Sequence, residues 1–142
     1  MKLAQVFSNY FTVRAELIGS VAHLTQAEID WVPPNHSATI GALLAHIAGS
    51  ESWWLHGVAL NDGLHTQWAT FRSAKTLPEI LAVLDQMHRD WTAWMESQDV
   101  EDWDDVFYTI EKRGEKVSKR WLVWHVVEHQ SRHRGQIFML MR

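Results

Sequence analysis

The stretch Trp121-Leu122-Val123-Trp124-His125-Val126-Val127-Glu128-His129-Gln130-Ser131-Arg132-His133-Arg134-Gly135-Gln136-Ile137-Phe138 decides how the chain is read. Its apolar spacing predicts a helix from about Ser118 to the C-terminus, roughly 24 residues or about 36 Å long. His125, His129 and His133 are four residues apart, so each is rotated by only about 40° from the one before. They share a face with Leu122, Val126, Gln136 and Leu140, while Lys119, Glu128, Arg132 and Arg134 fall elsewhere. The histidines therefore sit on the stripe expected to be buried.

Working outward, the punctuation falls at Pro33-Pro34, Asn61-Asp62-Gly63, Pro78 and Gly114. A first helix is expected from about Leu3 to Leu24, with Val6, Tyr10, Val13, Leu17 and Val21 on one stripe. Trp31-Val32-Pro33-Pro34 imposes an extended connection, because a residue before proline is pushed out of the α region. A second helix starts near Ser37 or Thr39 as cap and runs to about Leu60, with Ile40, Leu43, Leu44, Ile47 and Trp54 facing inward. The third begins at Thr76, with Pro78 in its first turn and Glu79 completing a capping box, and carries Ile80, Leu84, Met87, Trp91 and Trp94. From Asp99 to Lys116 the chain is acidic and then alternates through Val106, Tyr108 and Ile110, which predicts a loop holding a short hairpin. Four helices with an extended segment before the last make an all-α helical bundle, and 142 residues suit one domain spanning 1–142.

Composition narrows the function. There is no cysteine, which excludes a disulfide framework, a thiolate metal site and a cysteine nucleophile, and fits a cytoplasmic protein. A net charge of −4 with no basic run longer than Lys119-Arg120 gives no footprint for nucleic acid. No stretch approaches the roughly 18 apolar residues of a membrane span, and the N-terminal apolar residues are too interrupted for a secretory signal. Nine histidines, by contrast, are many for this length and point to chemistry.

A His-x-x-x-His pair on one helical face puts two imidazoles where both reach one ion at about 2.0–2.1 Å. A third ligand must come from another helix, and His46, among Ile40, Leu43, Leu44 and Ile47, is the natural candidate. A single buried histidine is ordinarily a hydrogen-bonded core residue. Three of them on two facing buried stripes would leave several polar nitrogens unpaired, a cost that a metal removes. Spacing does not choose between His125/His129 and His129/His133.

The run from His125 to Ile137, together with Leu44-Ala45-His46-Ile47-Ala48-Gly49-Ser50-Glu51, resembles the DinB family of helical proteins. That superfamily also includes thiol-dependent transferases and the mycothiol-dependent maleylpyruvate isomerase. The resemblance implies an up-down-down-up four-helix bundle, commonly a homodimer, with His46, His129 and His133 around one metal ion; imidazole ligands suit divalent zinc, nickel, iron and copper alike, with zinc or nickel expected first. It makes His125 a neighbour that walls the pocket. The isomerase branch resembles Glu-x-x-x-His at the last-helix pair, and the all-histidine set departs from it. The resemblance also implies a small-molecule substrate, and a low-molecular-weight thiol held as thiolate at the ion's open position. Hydrolysis by metal-bound water and a non-enzymatic, stress-responsive metal-binding role are the alternatives.

Other residues are assigned blander roles. Glu51, about 140° around the helix from His46, is expected to be solvated, and Glu128 to pair with Arg132 on the outer face. Most of Trp53, Trp54, Trp91, Trp94, Trp121 and Trp124 are expected in the core or a dimer interface, which is favoured over a pocket-wall role for Trp54 or Trp121. His23, His36, His56, His65 and His88 are expected at the surface or behind the site.

Overall fold

The structure, a computed structural model, describes residues 1–66 and 75–142. Among them the chain is mostly helical: α1 Leu3–Val6, α2 Asn9–Val21, α3 Gln26–Asp30, α4 Ile40–Ser52, a π-helix Trp53–Ala59, α5 Leu77–Ser97 and α6 Lys119–Leu140. One antiparallel hairpin, β1 Phe107–Ile110 with β2 Glu115–Ser118, precedes α6. Gly114 closes its turn at φ 64°, a left-handed conformation in which a side chain is strained. No helix among the described residues is long and apolar enough to cross a membrane.

The starts of the long helices follow the expected local chemistry. Thr39 Oγ1 accepts from Ala42 N at 3.0 Å to open α4, and Ser118 Oγ accepts from Trp121 N at 3.1 Å to open α6. Thr76 accepts from Glu79 N at 3.4 Å while Glu79 accepts from the amides of Lys75 and Thr76, so α5 begins with a complete capping box. The same device, Thr25 with Glu28, opens the short α3, which the extended-connection expectation passes over.

Two helices depart from expectation for physical reasons. The expected first helix is broken at Phe7 and Ser8 into α1 and α2. Lys2 pairs with Asp99 in a β-bridge, and Leu3 N donates to Gln98 O at 3.0 Å, so the first turn is tied to the end of α5. The second helix does run to Ala59 but widens to π geometry from Trp53. Leu60 N reaches back five residues to Leu55 O at 2.8 Å, and the wider turn buries Trp54, Leu55, His56 and Val58 together. Gly57 permits this, since a Cβ there would lie 2.8 Å from the Trp53 ring.

α4 packs against α5 and α6, and α2 packs against α6. His46 meets His129 and His133, while Trp54 meets His125 and Trp121, so α4 and α6 run antiparallel. The apolar interior forms two clusters, one around Leu44, Ile47, Leu84, Met87 and Ile137, the other around Tyr10, Leu55, Trp91, Leu122 and Val126. Between them along the helices lies a polar layer. Arg14, 3 % exposed, donates to Gln130 Oε1 at 2.6 Å, Leu84 O at 3.0 Å, the Tyr10 hydroxyl at 3.2 Å and Glu51 Oε1. Burial raises the Glu51 carboxyl above its ordinary range, and Arg14 and the Tyr10 hydroxyl pull it partly back. Glu51 is thus a core residue and not the solvated one expected. The 140° rotation away from His46 turns it toward α2, because α4 is covered on more than one side. Lys119, expected off the buried stripe, is also covered and donates to Asp102 at 2.6 Å.

Removing Arg14 leaves the buried Glu51 charge without its partner. Arg14→Ala is expected to cost about 3–5 kcal/mol in urea denaturation. Breaking the exposed Glu128–Arg132 pair with Arg132→Ala should cost no more than about 0.5 kcal/mol.

Candidate metal centre

Two adjacent helices supply the candidate ligands. α4 carries His46 and α6 carries His129 and His133, and one ligand atom from each lies within 4.8 Å of the others. His129 Nε2 is 3.0 Å from His46 Nε2 and 3.1 Å from His133 Nε2. His129 Nε2 thus stands between the other two, and the three histidines form one cluster. Tetrahedral ligands with bonds of about 2.0–2.1 Å would stand roughly 3.3 Å apart, and the two contacts to His129 are close to that.

Protons alone do not satisfy this cluster. His133 Nδ1–H donates to Gln136 Oε1 at 2.5 Å, because a carboxamide oxygen only accepts. A His133 ring with its single proton on Nδ1 turns the Nε2 lone pair toward the cluster, the tautomer a metal ligand needs. A single Nε2–H on His129 serves one neighbour at most, and a cation among the three serves all of them. Burial pushes the His129 pKa down to about 3, with the nearby His133, His46 and His125 adding to the depression. His129 is accordingly a neutral imidazole at pH 7. The donor set fits a divalent ion.

The cluster is shallower than the sequence implied. His129 is 9 % exposed, His133 is half-buried and His46 lies at the surface, because Leu43, Leu44 and Ile47 hold the inward face of α4. His125 stands one turn away, its ring centroid 6.1 Å from that of His129. It stacks on Trp121 at 4.7 Å and 6° and meets the edge of Trp54 at 5.0 Å. Trp54, Trp91 and Trp94 are core residues as expected, whereas Trp121 and Trp124 are exposed.

Burial places the remaining polar residues. His56, expected at the surface or behind the site, is 5 % exposed and bridges Asp62 and Asp90, at 2.9 Å from each nitrogen. The π turn carries it inward, and helical spacing gave no sign of that. Gln130, absent from the sequence expectations, is fully buried and ties α6 to Arg14 and to Tyr10 O at 3.1 Å. Its signal was a polar residue next to His129 on a helix with apolar neighbours. His23 and His36 are exposed and His88 is half-buried against Tyr10.

The low His129 pKa has a consequence for metal-free protein. Below pH 6.5 the unfolded chain takes up a proton at this position that the folded chain refuses until about pH 3. Stability is thus fully present above pH 6.5 and should fall as the pH drops through that window. In chelator-treated protein, His129→Gln should flatten the decline of the thermal midpoint between pH 6.5 and 3.

A family model described as the DinB superfamily matches residues 10–137. No curated protein matches the chain.

Proposed function

The chain belongs to the DinB superfamily, and on that premise we propose that His46, His129 and His133 hold one divalent ion, zinc or nickel, and that the protein transfers a low-molecular-weight thiol to a small electrophile. The observation carrying this reading is the pair of nitrogen–nitrogen contacts at 3.0 and 3.1 Å, which a single shared proton does not satisfy. An up-down-down-up arrangement of α2, α4, α5 and α6, and a homodimer, belong to the same proposal.

When bound, an ion on three neutral imidazoles keeps its full charge and shifts a neighbouring thiol toward thiolate. The chain's own residues prepare that position. Gln136 holds the His133 ring in one tautomer by accepting its Nδ1–H. Gln130, anchored by Arg14, fixes the turn of α6 from which His129 projects. Trp54, Trp121 and His125 pack ring against ring and keep water from one side of the cluster.

Purified protein reconstituted with zinc or nickel should hold one ion per chain by elemental analysis. His129→Ala should abolish it, Gln136→Leu should weaken it about 10–100-fold, and His125→Ala should leave the stoichiometry at one. A wild-type chain that takes up no stoichiometric ion overturns the centre. Loaded protein should consume an activated halide or epoxide only when a low-molecular-weight thiol is present. Turnover of esters without thiol would overturn transfer in favour of hydrolysis.

A further inference from the structure

The groove between α4 and α6 is not the same on the two sides of the histidine cluster. Toward Trp54 it is filled: His125 lies between Trp121 and the cluster, and the three rings pack at 4.7–5.5 Å. On the other side, one turn back along α4 and one turn on along α6, there is a cavity of about 340 Å³. Leu43, Ala38, Met139 and Leu140 make most of its wall, and His36, Ser37 and Gln136 supply its polar atoms.

Gln136 joins this cavity to the cluster. Its Oε1 is committed to His133 Nδ1, which leaves its Nε2 amide as a donor with no bond to the protein among the described residues. The Ser37 hydroxyl and the His36 ring come from the segment leading into α4, where Asn35 at φ 65° turns the chain. The volume is at the low end of the roughly 300–1,000 Å³ range of small-molecule sites.

We propose that this cavity is the substrate subsite of the centre and takes a short unbranched aliphatic chain, with the polar reacting end of the molecule toward the histidines. The proposal rests on the metal centre described above. The apolar wall selects the chain by burying it, and Gln136 and Ser37 meet oxygen acceptors next to the reacting end. The packed rings of Trp54, Trp121 and His125 close the opposite direction, so the substrate lies along α6 toward its C-terminus.

The test uses cobalt-loaded protein and straight-chain carboxylates from acetate to hexanoate, read by the visible spectrum of the cobalt. In the wild type, affinity should rise about two- to fourfold with each methylene added. Ala38→Phe and Met139→Trp, which fill the cavity, should flatten the series and lower hexanoate affinity at least tenfold, with cobalt stoichiometry unchanged. Met139 is 68 % exposed, so its variant carries the test should Ala38→Phe fail to fold. A series that is flat in the wild type, or equally steep in Met139→Trp, overturns the subsite and leaves the metal centre standing. A wild-type chain that takes up no cobalt overturns both.

Discussion

A guanidinium carried into the interior must find acceptors there, and Arg14 finds them on three helices besides its own. Glu51 comes from α4, the Leu84 carbonyl from α5 and Gln130 from α6, while Tyr10 lies one turn back on α2. Stranding this charge, or Glu51 opposite it, would cost several kcal/mol, so the helices are held where these atoms converge. The two apolar clusters on either side supply most of the driving force but are indifferent to small slides of one helix along another. The polar layer is not. Sliding α4 along α6 by one residue would part Glu51 and Gln130 from their shared arginine.

That constraint reaches the histidines through the chain itself. His46 is five residues before Glu51 on α4, and His129 is the neighbour of Gln130 on α6. The pairing that satisfies Arg14 therefore also sets the height at which His46 faces His129. One turn of α6 thus faces two ways: Gln130 looks toward α2 and the arginine, and His129 looks toward α4. The spacing of the histidine nitrogens is in this sense a by-product of a charge buried elsewhere.

Much of this was legible in the residues. The four-residue spacing of His129 and His133 survives in the structure because it depends only on helical geometry, and so do the Thr39, Thr76 and Ser118 caps. What escaped depends on contacts distant in sequence. Nothing local breaks the helix at Phe7 and Ser8; the tie of Lys2 to Asp99 does. Glu51 does turn away from His46, but facing away from His46 means facing Arg14, which periodicity along one helix does not reveal. His56 reads as a turn-proximal surface histidine until the π geometry rotates it between Asp62 and Asp90. His46 shows the converse. Its apolar neighbours suggested depth, and they hold the inward face so completely that His46 is left at the edge.

The position of His46 at that edge also sets how the histidine cluster is built. Structural zinc sites are closed by four protein ligands and gain by being buried. Here, among the described residues, the candidate ligand group has three members from two neighbouring helices, and no acid from α2 or α5 completes it. The acid nearest in sequence to His46 on α4, Glu51, is committed to Arg14. The register of α4 against α6 is already fixed by Arg14, so it does not depend on an ion at this cluster. Three imidazoles at the rim of a groove, one of them bonded to Gln136, are placed to hold a metal ion without taking part in the packing of the core.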